Sequence, residues 1–371
     1  MLTGQTLVLL SAVPWSGLYA RPQHLATGFA SLGAQVLFVE PAGSLLSPLK
    51  QRDIPKFSSI RKEGPNIAVL TPPLLLPAGY GWLPINRINQ ALLWRSICSA
   101  AHKVGWTIDM VWTHLPGTAD LPTALPIIYD CVDDHSAFSQ LSYLWRREVV
   151  ESLESKLLQR AWRVLASSEL LLAKCHEVRS DAALVGNGAH IDHFTAAAQG
   201  HSGVLTLSHP IVGCYGGIGP WIDLELIAGA AASRPDINFV MIGPVDSAVK
   251  LPAPAPNLHF LGLIPYQILP QYLAEFDVAL VPFKNIEVTQ SVNPLKLYEY
   301  FAAGKPVIVA DIPELVRWRP LVYVASSVAG MLNEIDKALI ESDDVKIARQ
   351  KVARDNSWDA KVADILRLLG E

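Results

Sequence analysis

Apolar runs of three to five residues recur along this chain, and the stretches between them carry the spacing of amphipathic helices. That alternation demands strands buried on both faces and joined by helical crossovers, the pattern of parallel α/β sheets. A first set of strands is expected at residues 7–10, 36–39, 67–70, 110–112, 127–129, 163–166 and 182–185. Helices are expected at 21–32, 85–103 and 139–160. A second set of strands follows at 211–215, 239–242, 258–261, 278–281, 306–309 and 321–324, with 358–369 as the last helix. Between the sets, residues 193–210 are small and polar and read as a linker. The fold class is therefore α/β, with two tandem doubly wound parallel-sheet (Rossmann-like) domains. They are expected at 1–195 and 196–356, with 357–371 a C-terminal helix packing back on the first. Ligands of such folds sit at the carboxyl ends of strands, so the site is expected where the two domains face each other across a cleft.

At 371 residues, half of them hydrophobic and only 17% charged, the chain can bury two large cores. A net charge of −4 argues against a general nucleic-acid binder. Residues 21–103 nevertheless hold nine Lys/Arg against three Asp/Glu. A solvated basic face explains this, and so does a surface for an anionic acceptor or a membrane. Cys98, Cys131, Cys175 and Cys214 stand far apart without a C-x-x-C pair, which suits reduced cytoplasmic thiols and offers no zinc motif. The first twenty residues are uncharged but lack a basic n-region, and Pro and Gly interrupt the uncharged stretch 65–86, so no membrane span is expected. Trp82, Trp94 and Trp106 flank a helix bearing Arg87, Arg95 and Lys103. An interfacial helix has this pattern, as does an ordinary helix packed on a sheet.

The stretch 289–309, TQSVNPLKLYEYFAAGKPVIV, concentrates the chemistry. Pro294 suits a first helical turn, and Leu295, Tyr298 and Phe301 recur on one face. Gly304 stops the helix, and a buried strand follows. Helix N-termini present free N–H groups, so Ser291, Val292 and Asn293 stand where a phosphate would bind, with Lys296 to add charge. Glu299, one turn on, is placed to accept from a ribose diol. A capped helix leading into a strand accounts for the same spacing.

PLKLYEYFAAGKPVI resembles the donor-nucleotide signature of the two-domain GT-B glycosyltransferases, the family 4-like group active in polysaccharide and teichuronic-acid-type biosynthesis. RPQHLATGFASLGAQVLFVEP, YDCVDDHSAF, ASSELLLAKC, VGNGAHIDHF and NLHFLGLIPYQILPQYLAEFDVALVPF precede it in the order that group shows. The resemblance implies that Glu299 holds the nucleotide ribose and that the loop at Ser291, Val292 and Asn293 wraps the diphosphate. It also implies that His114 meets the donor sugar's hydroxyls and that the main chain at Ile264 lies against the base. Ser291 departs from the Glu that many members carry there, and residues 215–223 lack the basic pair that often grips the phosphates. Either Lys296 then carries more of that burden or the N-terminal domain contributes.

The remaining candidates are read from residue type. Gly216, Gly217 and Gly219 lack the G-x-G-x-x-G order, so Gly217 is assigned a close approach to a phosphate rather than a dinucleotide. Gly17 gives a permissive turn toward donor phosphates or acceptor, and Arg21 and His24 open the next helix as acceptor contacts. Asp133 and Asp134 follow a strand end. Either is a general base if transfer inverts, or an acceptor-positioning group if it retains, while a helix cap is the alternative use. Asn187-Gly188 reads as a structural turn. No D-x-D occurs and adjacent aspartates chelate poorly, so no metal and no cofactor are expected. The expected activity is transfer of a sugar from a UDP- or GDP-sugar to a glycan or lipid-linked acceptor in envelope or exopolysaccharide assembly. Transfer is expected to be retaining and metal-independent, by a cytoplasmic enzyme peripheral to the inner membrane face. A sugar-nucleotide epimerase of the same architecture and a non-catalytic partner subunit are the alternatives.

Overall fold

The computed structural model describes residues 2–45, 58–140 and 144–370. The chain divides into two compact α/β units, residues 1–185 with 362–371, and residues 186–361. In the first, the strands are β1 Thr6–Leu10, β2 Gln35–Val39, β3 Ser59–Lys62, β4 Ile67–Thr71, β5 Met110–Thr113, β6 Ile127–Cys131, β7 Arg163–Ala166 and β8 Ala183–Leu184. They lie in the order β3-β4-β2-β1-β5-β6-β7-β8. All neighbours are parallel except the β3–β4 pair. Helices α1 Arg21–Ser31, α2 Leu83–Val104, α3 Arg147–Arg160 and α4 Glu169–His176 connect them. The central strands read as continuous apolar runs because both faces are covered, and every residue of β1 and β6 is buried.

In the second unit, β9 Ile211–Tyr215, β10 Asn238–Ile242, β11 Leu258–Gly262, β12 Val278–Val281, β13 Val307–Val309 and β14 Tyr323–Val324 form a parallel sheet of order β11-β10-β9-β12-β13-β14. Its helices are α5 Ile191–Thr195, α6 Leu224–Ser233, α7 Leu269–Ala274, α8 Glu287–Gln290, α9 Leu295–Ala302, α10 Pro313–Val316, α11 Val328–Ala338 and α12 Asp343–Asp355. The last helix, α13 Trp358–Leu369, begins in this unit, and its residues from 362 onward belong to the first.

Four sequence expectations require correction. The division falls after residue 185 rather than 195, because the supposed linker begins as folded structure. Phe194 is fully buried in the second core, and the His193 ring stacks on Tyr266 with centroids 4.7 Å apart. The long helix expected from Ser139 starts at Arg147, since Ala137–Gln140 is a separate 3-10 turn, and residues 141–143 lie outside the described residues. Strand β3 was not expected: its sequence, SIRK, carries one apolar residue because it is a part-exposed antiparallel edge. Helix α9 is buried from Leu297 through Ala302, with Leu295 only half-buried, so no single Leu295–Tyr298–Phe301 stripe defines it. It packs against α5, α12 and β12 at once.

Candidate active site

In the second unit, β9 and β12 are neighbouring strands, and α9 follows β12 through α8. This route brings Glu299 to the carboxyl end of β9. The Tyr215 hydroxyl donates to Glu299 Oε2 at 2.8 Å, and Glu299 Oε1 has no protein partner among the described residues. Only 4% of Glu299 is exposed. Burial pushes its carboxyl up to about 7, against the lowering pull of the Tyr215 hydroxyl and the Lys296 charge. The hydroxyl of Tyr300, the next residue, accepts from Tyr215 N–H at 3.1 Å and so ties the two tyrosines together.

Lys296 runs along the same strand end, 3.9 Å from Cys214 Sγ and with Nζ 5.4 Å from the centre of the Phe283 ring. A Cβ built on Gly216 would stand 3.0 Å from Lys296 Nζ, and one on Gly243 would stand 1.9 Å from Gly216 O. Both glycines have positive φ, 113° and 140°. Two glycines are thus required for the loops after β9 and β10 to nest beside the ammonium. Gly216 N–H donates to Ile242 O and Ile218 N–H to Pro244 O, whereas the intervening Gly217 N–H has no protein acceptor among the described residues. With the first-turn N–H groups of α9, this gives an anion-binding edge built from Gly217, Lys296 and backbone.

The loop before α9 is divided in its uses. The side chain and carbonyl of Asn293 are taken up by the fold: its Oδ1 accepts from Asn187 N–H at 3.0 Å, its carbonyl accepts from Asn187 Nδ2, and its Nδ2 donates to the Tyr298 hydroxyl at 3.2 Å. A Cβ on Gly188 would lie 2.3 Å from Asn356 O, which explains the glycine after Asn187. Ser291, 6% exposed, keeps a hydroxyl with no hydrogen-bond partner among the described residues, and Val292 is half-buried against the core. Ile264 also packs half-buried on this core, in the turn after β11.

In the first unit, β1, β5 and β6 are adjacent, so their carboxyl ends gather the loop at residues 11–20, His114 and the 132–136 turn. Asp130, fully buried at the end of β6, is the hub of this strand edge. It forms a two-bonded ion pair with Arg21, at 2.8 and 2.9 Å, and accepts from Trp112 Nε1 at 3.2 Å. Burial opposes its ionisation, but Arg21 and His114 outweigh that and hold it at about 2. Arg21 is 3% exposed and His24 1%, so neither is an acceptor contact: one guanidinium is committed to Asp130, and the His24 ring packs edge-on to Tyr19. His114 is equally buried, with Nδ1 3.2 Å from Leu10 O and Nε2 3.2 Å from Asp130 Oδ2 but off the line of a hydrogen bond. Gly17 lies exposed, with φ 135°, in a loop tied to Gln23 through Pro14 O and Leu18 O.

Asp133 and Asp134 part company. Asp134 Oδ1 accepts from Lys174 Nζ at 2.8 Å and from Ser136 N–H and Oγ at 3.1 and 2.7 Å. Burial is outweighed by these partners and its pKa is lowered. Lys174 also pairs with Glu154, whose other oxygen accepts from the Tyr129 hydroxyl. Asp134 is therefore the anchor of the turn. The Asp133 carboxylate has no hydrogen-bond or ion-pair partner among the described residues, and burial, then the Asp134 charge, push it up to about 7. Of the adjacent pair, Asp133 alone is poised to exchange a proton near neutrality.

The second unit thus joins a buried carboxylate to an anion-binding edge, and the first carries a poised aspartate. Residues 210–349 match the family described as Glycosyl transferases group 1, so the chain carries a domain of that family and is a glycosyltransferase. The teichuronic acid biosynthesis glycosyltransferase TuaH of Bacillus subtilis is 29% identical over 290 residues, 70% of this chain and 71% of that protein. Sucrose-phosphate synthase from Thermosynechococcus elongatus has the same fold, with a TM-score of 0.75 at 16% identity over 98% of each chain. Anabaena HepE, solved in complex with UDP and glucose, aligns with a TM-score of 0.61 at 14% identity over 97% of this chain and 99% of its own.

Proposed function

We propose that this glycosyltransferase takes a nucleoside diphosphate sugar as donor, with UDP the first base to test, and extends a glycan or lipid-linked acceptor in envelope polysaccharide assembly. The observation that carries the donor assignment is Glu299, a buried carboxylate with one oxygen fixed by Tyr215 and the other left for a ligand, beside Lys296 and the Gly217 amide. A carboxylate there accepts from two ribose hydroxyls, while the ammonium and amides take up charge as the diphosphate leaves. Ser291 keeps an unspent hydroxyl for the donor. UDP is favoured because HepE was solved with UDP and glucose, and the acceptor class because TuaH is named for teichuronic acid biosynthesis.

In this reading the reaction needs no metal. Asp134 already faces Lys174, so Asp133 and Asp134 do not make a chelating pair, and Lys296 supplies the positive charge. In this reading transfer retains configuration, with Asp133 orienting the acceptor hydroxyl. No helix among the described residues is long and apolar enough to cross a membrane. A peripheral contact through α2 is supported by its exposed face, where Trp82, Ile88 and Leu92 lie beside Arg87 and Arg95. A cytoplasmic location at the inner membrane face accords with that contact.

The assay is sugar transfer from UDP- and GDP-sugars to lipid-linked and soluble glycan acceptors, with chelator present. Asp133→Asn is expected to keep nucleotide affinity and lose transfer. Isomerised donor without acceptor would instead indicate an epimerase, and full activity of the Asn variant would refute the role given to Asp133.

A further inference from the structure

At the amino-terminal edge of the second sheet, the edge away from Glu299, two imidazoles converge on two carboxylates. His209 shortly precedes β9 and Asp277 directly precedes the neighbouring β12, so the topology sets them side by side. Glu275 comes just after α7. His201 enters from the other end of the 201–209 segment, whose Ser202 N–H, Ser202 Oγ and Gly203 N–H donate to Glu275 Oε1 at 2.6, 2.7 and 2.6 Å. The two imidazole rings touch, with centroids 3.9 Å apart.

The ligand-type atoms are close together. His209 Nδ1 is 2.7 Å from Asp277 Oδ2, and His201 Nε2 is 4.0 Å from Asp277 Oδ1. Glu275 Oε2 stands 3.8 Å from His209 Nε2 and 4.0 Å from His201 Nδ1. One ligand atom each from His201, His209 and Asp277 lies within 4.8 Å of the others. We propose that His201, His209 and Asp277 form a zinc-class metal site, with Glu275 the adjacent carboxylate. Two imidazoles and a carboxylate are the donor set that suits this ion rather than magnesium or calcium.

Zinc–nitrogen bonds of about 2.0–2.1 Å place tetrahedral ligand atoms about 3.3 Å apart, and the observed separations bracket that spacing. Side-chain rotation is enough to close the gap, because His201 is half exposed and makes no hydrogen bond short enough to hold its ring. Asp277 Oδ2 also accepts from Ile211 N–H at 2.6 Å, which ties the carboxylate to the strand edge and orients it as a supporting bond does. Lys305 is the cation nearby. Its Nζ donates to Ala274 O at 2.9 Å. An ion here pins both ends of the 201–209 segment to the sheet. It is a fold-supporting site, separate from transfer chemistry at the opposite edge.

The test uses the full chain, stripped with chelator and titrated with zinc chloride by calorimetry, alongside melting with and without zinc. One ion per chain and a raised melting temperature are expected. His201→Ala and His209→Ala should bind at least about tenfold more weakly. Both should lose the melting rise, and His201→Ala should keep the metal-free melting temperature, since its ring is half exposed and its carboxylate contacts are long. Cobalt in place of zinc should give the visible absorption of a tetrahedral site, absent in the double variant. No stoichiometric zinc binding, or equal affinity in the double variant, would overturn the site. A Glu299→Ala chain should bind zinc as the parent does, so failure here and failure of the donor assignment are separable.

Discussion

Glu299→Gln tests the physical state of the donor-side carboxylate. The carboxyl is raised from 4.5 to about 7, chiefly by burial, so above neutral pH the native protein must hold a charge in a nearly closed site. A raised folded pKa favours the protonated native state. That stability is fully present below the unfolded value near 4.5 and is lost as pH rises through 7. The shift of about 2.5 units, at about 1.4 kcal/mol per unit, makes this loss about 3 kcal/mol. Glutamine keeps an oxygen to accept from the Tyr215 hydroxyl and removes the charge. The variant should therefore be more stable than the parent by about 3 kcal/mol at pH 8–9, converging on it below about pH 4.5. Urea unfolding across this range, compared at constant m, reads the difference directly. A gap that does not change with pH, or a variant less stable at pH 8, would show that Glu299 is not a buried, strained carboxylate.

Asp130→Asn should cost about 3–5 kcal/mol at neutral pH, because it breaks a buried ion pair with Arg21; an unchanged denaturation midpoint would contradict the hub role. Asp130 has a depressed pKa, so its contribution is present above its ordinary value and lost as pH falls through about 2, and the acid-unfolding limb of the variant should be flattened there. Gly243→Ala brings a Cβ within 1.9 Å of Gly216 O at a φ of 140°. It should destabilise by about 2 kcal/mol or more and weaken nucleotide binding by shifting the Gly216–Gly217 loop, whereas normal affinity and melting would show the nested loops to be slack.

Much of the fold was legible because its physics is local. Buried parallel strands must be apolar throughout, and Leu7, Ile211 and Val278 stand in runs that hardly permit another reading. What escaped depended on partners distant in sequence. Residue type marked Arg21 and His24 as ligand-facing, but Asp130 and Tyr19 take those side chains in the fold, and Asn187 takes that of Asn293. Asp133 and Asp134 are interchangeable in sequence, and it is Lys174, forty positions on, that commits one and leaves the other. Tyr215 carried no motif at all, yet it fixes Glu299. A buried tyrosine ending a strand that leads into glycines was the available signal. The supposed linker looked small and polar in composition, yet Phe194, its one Phe, Tyr or Trp, is fully buried in the second core.

The central claim is that Glu299 is the nucleotide-binding carboxylate of this glycosyltransferase. Calorimetric titration of UDP, GDP and ADP, in excess chelator, into the parent chain and a folded Glu299→Ala variant tests it most directly. Binding of one diphosphate in the micromolar range by the parent, and of none by the variant, is the predicted result. Equal affinity in a variant that remains folded, or no binding of any diphosphate by the parent, would contradict it.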